Sequence, residues 1–207
     1  MKIKRFKNVN DISYGLDEFD VESKILLVTG LSGSGKSFLT NELQKKYNAH
    51  TFQVEWLKHP THISEECEYI LDTFLKKYPQ IKNCVKNKWD NTRREDNNPL
   101  FKEYINLFFK HFLEVKDPNK LYIVEGIQLF SLIDFDLIKD YPIIIKGTSA
   151  YNSFKNRFHR DYQKRKGSSF PTKIKFFIRV LNESRLYQGK HVRKLNKFIK
   201  LKEKHNG

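Results

Sequence analysis

Cysteines, glycines, prolines and long apolar runs are all scarce in this chain of 207 residues, and each shortage excludes a class of protein. The two cysteines, Cys67 and Cys84, are too few for a disulfide framework or a zinc ribbon, so we expect a reducing, cytoplasmic environment. Nine glycines and six prolines form no repeat or low-complexity linker. No apolar run approaches the roughly 20 residues of a membrane helix, and no signal-peptide core follows Met1, so we expect no membrane partner.

Aromatic residues, by contrast, are abundant. Phenylalanine occurs 17 times and tyrosine 10 times, and hydrophobic residues make up 39% of the chain. Intrinsically disordered chains are poor in such residues, because they cannot bury enough apolar surface to offset the entropy of ordering. The composition therefore predicts a folded domain with a packed core, although 30% of the residues are charged.

The net charge of +15 is concentrated in the last quarter of the chain. Residues 151–207 contain 17 lysines and arginines against three acidic residues, which leaves a net charge of only +1 on residues 1–150. This asymmetry points to an anionic partner, such as phosphate groups, nucleic acid or an acidic surface. A solvated basic face that only increases solubility explains the charge equally well.

Short apolar runs alternate with helical patterns along the chain, as in a parallel sheet covered by helices. We also expect an edge strand from Met1–Phe6. The four strands predicted from the apolar runs are Lys24–Thr29, Thr51–Glu55, Leu121–Glu125 and Tyr141–Lys146. Five helices are predicted. The first runs from the end of the glycine-rich segment to about Lys46, the second from Ser64 to about Tyr78, and the third from Pro99 to about Asp117. The fourth runs from Ala150 to about Lys166, and the fifth from Pro171 to about His205 with a break at Gly189.

The glycine-rich segment after the first of these strands satisfies the pattern G-x-x-x-x-G-K-[ST]. Its glycines let consecutive N–H groups point at a phosphate, and the following helix N-terminus favours anions. Lys36 is placed to bridge two phosphates, and the Ser37 hydroxyl can bind Mg²⁺. The segment predicts ATP or GTP binding with Mg²⁺ through Gly30, Ser32, Gly33, Ser34, Gly35, Lys36, Ser37 and Phe38.

Three features together resemble nucleoside and nucleotide kinases, most closely the uridine kinase and phosphoribulokinase group. They are the glycine-rich segment, the strand end Tyr122-Ile-Val-Glu125-Gly126 and the basic segment RFHRDYQKR at residues 157–165. The resemblance covers residues 24–166. It implies an α/β, three-layer P-loop NTPase fold with a central parallel sheet, a helical lid and a basic helical C-terminal extension, and it implies that Glu125 serves Mg²⁺.

The same resemblance makes residues 150–166 a lid over the triphosphate. Arg157, Arg160 and Asp161 share one helical face, and Arg165 lies one turn beyond Asp161. Arginine suits this role because its planar donors can bind the oxygens of a moving phosphoryl group in pairs. The alternative is an exposed basic helix with no role in chemistry.

The acceptor side of the site is less well specified by the sequence. Glu55, in the segment QVEWLKHP, stands where uridine kinase-like enzymes carry an acid near the acceptor hydroxyl, although their usual aspartate-containing signature is missing. Residues 56–118 fall where such kinases place their acceptor-binding helices. In this segment Arg93 and Arg94 could bind a phosphate on the acceptor, or could belong to a solvated loop. His59 and His62 lack companion ligands, so we expect no zinc site there.

These features predict one domain over residues 1–207, with a nucleotide-binding core at 24–149, a lid at 150–166 and a basic helical region at 171–207. We expect a kinase that transfers phosphate from ATP, with Mg²⁺, to a small acceptor, namely a nucleoside or nucleotide. One alternative is a polynucleotide or RNA 5′-kinase that binds nucleic acid through residues 151–207. Another is a regulatory NTPase without an acceptor.

Overall fold

A five-stranded mixed sheet forms the centre of the computed structural model, which describes residues 11–14, 24–57, 65–79, 99–163 and 170–207. The strand order across the sheet is β1-β5-β2-β4-β3. The strands are β1 (Ile12–Tyr14), β2 (Ile25–Gly30), β3 (His50–Gln53), β4 (Tyr122–Glu125) and β5 (Ile143–Lys146).

Helices connect and cover these strands. A 3₁₀ turn, Val54–Leu57, follows β3 directly, and a second, Phe135–Leu137, precedes β5. The α-helices are α1 (Lys36–Tyr47), α2 (Glu65–Lys77), α3 (Pro99–Val115), the single-turn α4 (Gln128–Ser131), α5 (Ala150–Gln163) and α6 (Phe170–Asn206). None of the helices in these ranges combines the length and the apolar character needed to cross a bilayer.

Alternate residues of the buried strands face opposite layers. On one face, Leu26 and Val28 of β2 pack with Ile123 against Leu39 and Leu43 of α1. On the other face, Ile25 and Leu27 belong to the main core, which α2, α3, α4 and α6 cover. The continuous apolar run of β2 follows from this arrangement, since both of its faces are buried. The molecule is therefore a three-layer α/β structure.

The aromatic residues of α2 and α3 fill much of the main core. Phe52 of β3 stacks on Phe108 with ring centroids 4.9 Å apart, and Phe74 meets Phe108 edge to face. The inward face predicted for α3 is confirmed, because the five residues predicted to form it are all buried. These residues are Phe101, Tyr104, Ile105, Phe108 and Phe112.

The predicted central parallel sheet is present over four strands, and a fifth strand makes the whole sheet mixed. Strands β3, β4, β2 and β5 are parallel, but β1 pairs antiparallel with β5, with Ser13 opposite Ile144. This edge strand was not predicted, because three residues are too few to show a periodic pattern. The edge strand expected at Met1–Phe6 lies outside the described residues.

The C-terminal region also differs from its prediction. Helix α6 continues through Gly189, where a break was expected, because the residues that follow bury His191, Leu195 and Phe198 against the core. The face carrying Ile174, Phe177 and Ile178 is 43–51% exposed, while Phe176 and Val180 point inward. A glycine costs a helix only about 1 kcal/mol, which such packing outweighs.

Candidate functional site

The connections between the strands create a crevice at the carboxyl end of the sheet. From β2 the chain crosses through α1 to β3 on one side, whereas after β4 it passes to β5 on the other side. Open α/β sheets bind ligands at such a reversal of direction, outside the carboxyl ends of the strands. Here a cleft of about 360 Å³ lies at that point. Its walls are residues 32, 33 and 35–38, with Gln53, Glu55, residues 125–128, Asn156, Arg157 and Arg160.

The loop between β2 and α1 forms the floor of the cleft. The Ser34 N–H donates to the Leu31 carbonyl at 3.1 Å, and the Thr29 hydroxyl donates to the Gly126 carbonyl at 2.7 Å. The loop is thereby closed on itself and held against the segment that follows β4. Helix α1 begins at Lys36, so its free N–H groups face the cleft.

Lys36 is buried at the start of α1, and its ammonium donates to the Leu31 carbonyl at 3.0 Å. Burial lowers the pKa of Lys36, and the positive charge of Arg160 adds to this, whereas Glu125 and Glu55 oppose it. The loop carbonyl and the two carboxylates therefore hold a cation in a place where solvent does not stabilise it. An anion bound in the loop would stabilise the charged ammonium further.

Glu125, at the end of β4, faces Ser37 across the cleft. The Ser37 hydroxyl donates to Glu125 Oε1 at 3.0 Å. Glu125 Oε2 is shielded from solvent and makes no hydrogen bond of normal geometry among the described residues, although the Thr40 hydroxyl lies near the carboxyl group. Burial raises the pKa of Glu125, and the charge of Glu55 adds to it, while Lys36 and Ser37 lower it.

The raised pKa of Glu125 predicts a pH dependence of stability. A carboxyl with a higher pKa in the folded state binds protons more tightly there than in the unfolded chain, so its stabilising contribution is present at low pH. That contribution is lost as the pH rises from about 4.5, the ordinary value, through the folded-state pKa. Glutamine keeps the shape of the neutral acid and has no such titration.

We therefore expect the free energy of unfolding of Glu125→Gln, relative to the wild type, to rise across this window by up to about 1.4 kcal/mol per pH unit and then level off. Urea unfolding of both proteins between pH 4 and pH 8 measures this difference. A constant difference across the range would contradict the raised pKa.

Two donors from α5 attach that helix to the loop. The Asn156 side-chain amide donates to the Gly33 carbonyl at 2.9 Å, and the Ser153 hydroxyl donates to the Ser32 carbonyl. The contact is so close that a Cβ on Gly33 would lie 2.6 Å from the Ser153 carbonyl oxygen. Arg157 and Arg160 follow on the same face of α5 and line the cleft.

The two glycines of this loop provide a matched pair of substitutions. Gly33 and Gly35 both have positive φ, +77° and +88°, so alanine at either position costs about 1 kcal/mol of backbone strain. No atom lies within 4 Å of a Cβ at Gly35, whereas a Cβ at Gly33 meets the α5 backbone.

We expect Gly33→Ala to destabilise the protein by at least about 1 kcal/mol more than Gly35→Ala, because it forces a backbone shift at α5. Hydrogen exchange of residues 150–163 should also increase in the Gly33 variant alone. Equal unfolding free energies and equal exchange for the two variants would show that α5 does not rest on the loop.

The structure brings most of the predicted site residues together. Seven of the eight predicted nucleotide-site residues lie in the loop or in the first turn of α1, and the eighth, Gly30, is the last residue of β2. Phe38, in that first turn, lines the cleft and is 74% exposed. Glu55 also lines the cleft, but its predicted position at a strand end is wrong. Strand β3 ends at Gln53, and Glu55 lies in the 3₁₀ turn that follows.

Other predicted residues are not at the cleft or cannot be placed. Arg93, Arg94, Arg165, His59 and His62 lie outside the described residues, and so does Cys84. The described residues of α2 and α3, within the segment expected to bind the acceptor, do not line the cleft, and their inward faces pack in the core. No group of three or more His, Cys, Asp or Glu side chains suited to a metal ion occurs in the described part of the chain.

Sequence reasoning missed Ser153 and Asn156, together with the cleft residues Gln53, Ile127 and Gln128. A signal for the first two exists, because residues 153, 156, 157 and 160 share one helical face. Gln53 and Gln128 belong to no recognisable sequence motif.

Comparison with protein-family models, with curated proteins and with solved structures finds no match to this chain.

Proposed function

We propose that this protein is a P-loop kinase that transfers the γ-phosphoryl group of ATP to a small acceptor, namely a nucleoside or a nucleotide. One observation carries the proposal. A glycine-rich loop at the end of a buried strand, with Lys36, Ser37 and Glu125 beside it, faces two arginines of α5 across one cleft. The strand reversal at this point supports the same interpretation, because nucleotides bind in such crevices.

The loop and Lys36 bind the phosphates in this proposal. The N–H groups at the start of α1 would contact β-phosphate oxygens, and the helix dipole favours their negative charge. Lys36 exchanges the Leu31 carbonyl for phosphate oxygens. That exchange replaces a neutral hydrogen-bond partner of the buried ammonium by an anionic one, because phosphate carries a full negative charge and a carbonyl does not.

The oxygen atoms beside the loop fit the Mg²⁺ ion that accompanies a nucleoside triphosphate. Ser37 Oγ and Glu125 Oε1 are 3.0 Å apart, and Oε2 of the same carboxylate is buried without a hydrogen bond of normal geometry. Mg²⁺ prefers one or two protein oxygens, with the remainder from phosphate and water. When bound, the ion would supply positive charge that offsets the negative charge of the phosphates. Ser37 and Glu125 would hold it, directly or through water.

Helix α5 acts as a lid in this proposal. Arg157 and Arg160 extend from the face of α5 that rests on the loop, and they line the same cleft as Glu125. Charge spreads over the equatorial oxygens of a phosphoryl group in transit, and planar arginine donors match it. Their contribution would be largest in the transition state.

Gln53 and Glu55 also line the cleft, and in this proposal they would face the acceptor. Glu55 is exposed and can orient an acceptor hydroxyl or take its proton. The acceptor oxygen then bonds to the γ-phosphorus as the bond between that phosphorus and the β–γ bridging oxygen breaks. ADP and the phosphorylated acceptor are the products.

Transfer of label from γ-labelled ATP tests the proposal. The protein is incubated with Mg²⁺ and a panel of nucleosides, nucleotides, sugars, adenylylsulfate and oligonucleotide 5′-ends. We expect label on a nucleoside or nucleotide. Label on oligonucleotide ends would favour the polynucleotide kinase, and release of phosphate alone would favour a regulatory NTPase. Absence of both transfer and release would contradict the phosphotransferase.

A further inference from the structure

The second half of α6 carries two kinds of lysine. Lys194 and Lys202 turn toward the protein. Lys194 donates to the Ser131 carbonyl at 3.2 Å, and the buried Lys202 donates to the carbonyls of Lys139 and Tyr141. These two side chains fasten the helix to the segment before β5. Their role is explained by the fold.

Beyond the exposed Lys190, four other cations on this half of the helix point outward. They lie four, three and four residues apart, which places them along one side of the helix over about 17 Å. All four are exposed, and residues 189–206 contain a single acidic residue, Glu203. We call this set the α6 stripe: Arg193, Lys197, Lys200 and Lys204.

The α6 stripe is separate from the phosphate loop. Helix α6 ends beside residues 139–141, which precede β5, whereas the cleft lies at the carboxyl ends of the strands. The inward residues His191, Leu195 and Phe198 hold this half of the helix rigidly on the core. The stripe is therefore a fixed, straight row of positive charge, and nothing in the proposed phosphotransfer uses it.

We propose that the α6 stripe binds the phosphate backbone of a nucleic-acid duplex. Duplexes present regularly spaced phosphates on a stiff rod, which suits a row of cations about 5 Å apart along a stiff helix. Proteins that bind single strands add aromatic side chains on which bases stack. Residues 189–206 contain one aromatic side chain of the Phe, Tyr and Trp type, Phe198, and it is buried. Binding through backbone contacts alone is independent of base sequence.

Two charge-matched variants test this surface. The stripe variant replaces Lys197, Lys200 and Lys204 by glutamine, and the control variant replaces the exposed Lys45, Lys76 and Lys110 of α1, α2 and α3 in the same way. Both lose three positive charges. Fluorescence anisotropy with a labelled 20-base-pair duplex, measured over a series of salt concentrations, gives the affinity and its salt dependence.

For the wild type, four phosphate contacts predict a slope of about −3.6 in a plot of log K against log salt. The stripe variant should have a slope flatter by about 2.7 and bind at least tenfold more weakly, since each lost contact removes about 0.9 from the slope. The slope of log K against log salt for the control variant should differ from the wild-type slope by less than about 1. Lys200→Glu alone should weaken binding in the same direction.

Several results would overturn the proposal. Equal weakening in both variants would mean that only overall charge matters. Tighter binding of a 20-nucleotide single strand than of the duplex by the wild type would assign the stripe to single strands. A stripe variant that loses binding to phosphatidylserine vesicles but keeps binding to the duplex would assign the stripe to a membrane surface. Lys36→Ala should bind the duplex like the wild type, so failure of this proposal and failure of the phosphotransferase are distinguishable.

Discussion

In the proposed kinase, Lys36→Met should lower phosphoryl transfer at least a hundredfold, because it removes a cation that would contact phosphate oxygens in the transition state. The steady-state rate of label transfer from γ-labelled ATP measures this loss. Methionine has a similar length and no charge, so the start of α1 keeps its packing. Nucleotide affinity, measured by calorimetry, should fall as well.

The stability of this variant should change little, because two effects oppose each other. Removing the buried ammonium relieves the desolvation that lowers its pKa. It also leaves the Glu125 carboxylate without its nearest cation, and the pKa of Glu125 should rise further. We expect the free energy of unfolding to change by less than about 1 kcal/mol at pH 7.

Lys45→Met, on the exposed side of the same helix, is the control and should leave both transfer and stability unchanged. Near-normal transfer by Lys36→Met with any acceptor would refute the kinase. Lost transfer together with global unfolding would instead make Lys36 a structural residue.

Arg160→Lys should lower kcat at least tenfold, which corresponds to about 1.4 kcal/mol of transition-state stabilisation. The substitution keeps the positive charge and removes the planar pair of donors. ATP affinity should change far less than kcat, because the arginine acts mainly after the phosphoryl group begins to move. Steady-state kinetics with saturating acceptor separate the two quantities.

Lys155→Gln is the matched control on α5. Lys155 is exposed and does not line the cleft. The substitution should therefore leave kcat unchanged, although it removes a whole positive charge. An effect of Lys155→Gln equal to that of Arg160→Lys would show that α5 contributes only a general positive field. Small effects of both substitutions on kcat would mean that α5 is an exposed basic helix with no role in chemistry.

The sequence was sufficient to predict the central part of the fold. Strand β2 is recognisable because it is apolar at consecutive positions, which only a strand buried on both faces needs. Helix α3 is recognisable from its aromatic spacing and from Pro99 at its first position. In both cases the local pattern and the global packing require the same residues.

The sequence was insufficient where packing across the molecule decides the structure. The edge strand β1 is three residues long, and its antiparallel pairing with β5 depends on a distant segment. The continuity of α6 through Gly189 depends on how well His191 and Leu195 fit the core. Neither fact has a local signal in the residues concerned.

The same distinction applies to the site. The pairing of Ser37 with Glu125 could be predicted, since Glu125 ends β4 and Ser37 lies in the first turn of the helix that follows the neighbouring parallel strand β2. The sequence places Ser153 and Asn156 on the same helical face as Arg157 and Arg160, but it does not predict their hydrogen bonds to the loop, because serine and asparagine on a helix ordinarily face solvent. Their role depends on where α5 lies.

Those two hydrogen bonds couple the stability of α5 to the occupancy of the loop. Any ligand that fixes the carbonyls of Ser32 and Gly33 also reduces the freedom of the helix that donates to them. Coupling of this kind is reciprocal, so a change that loosens α5 weakens ligand binding by the same free energy with which the ligand tightens α5. The helix and the loop are thus one thermodynamic unit, although more than 110 residues separate them in the chain.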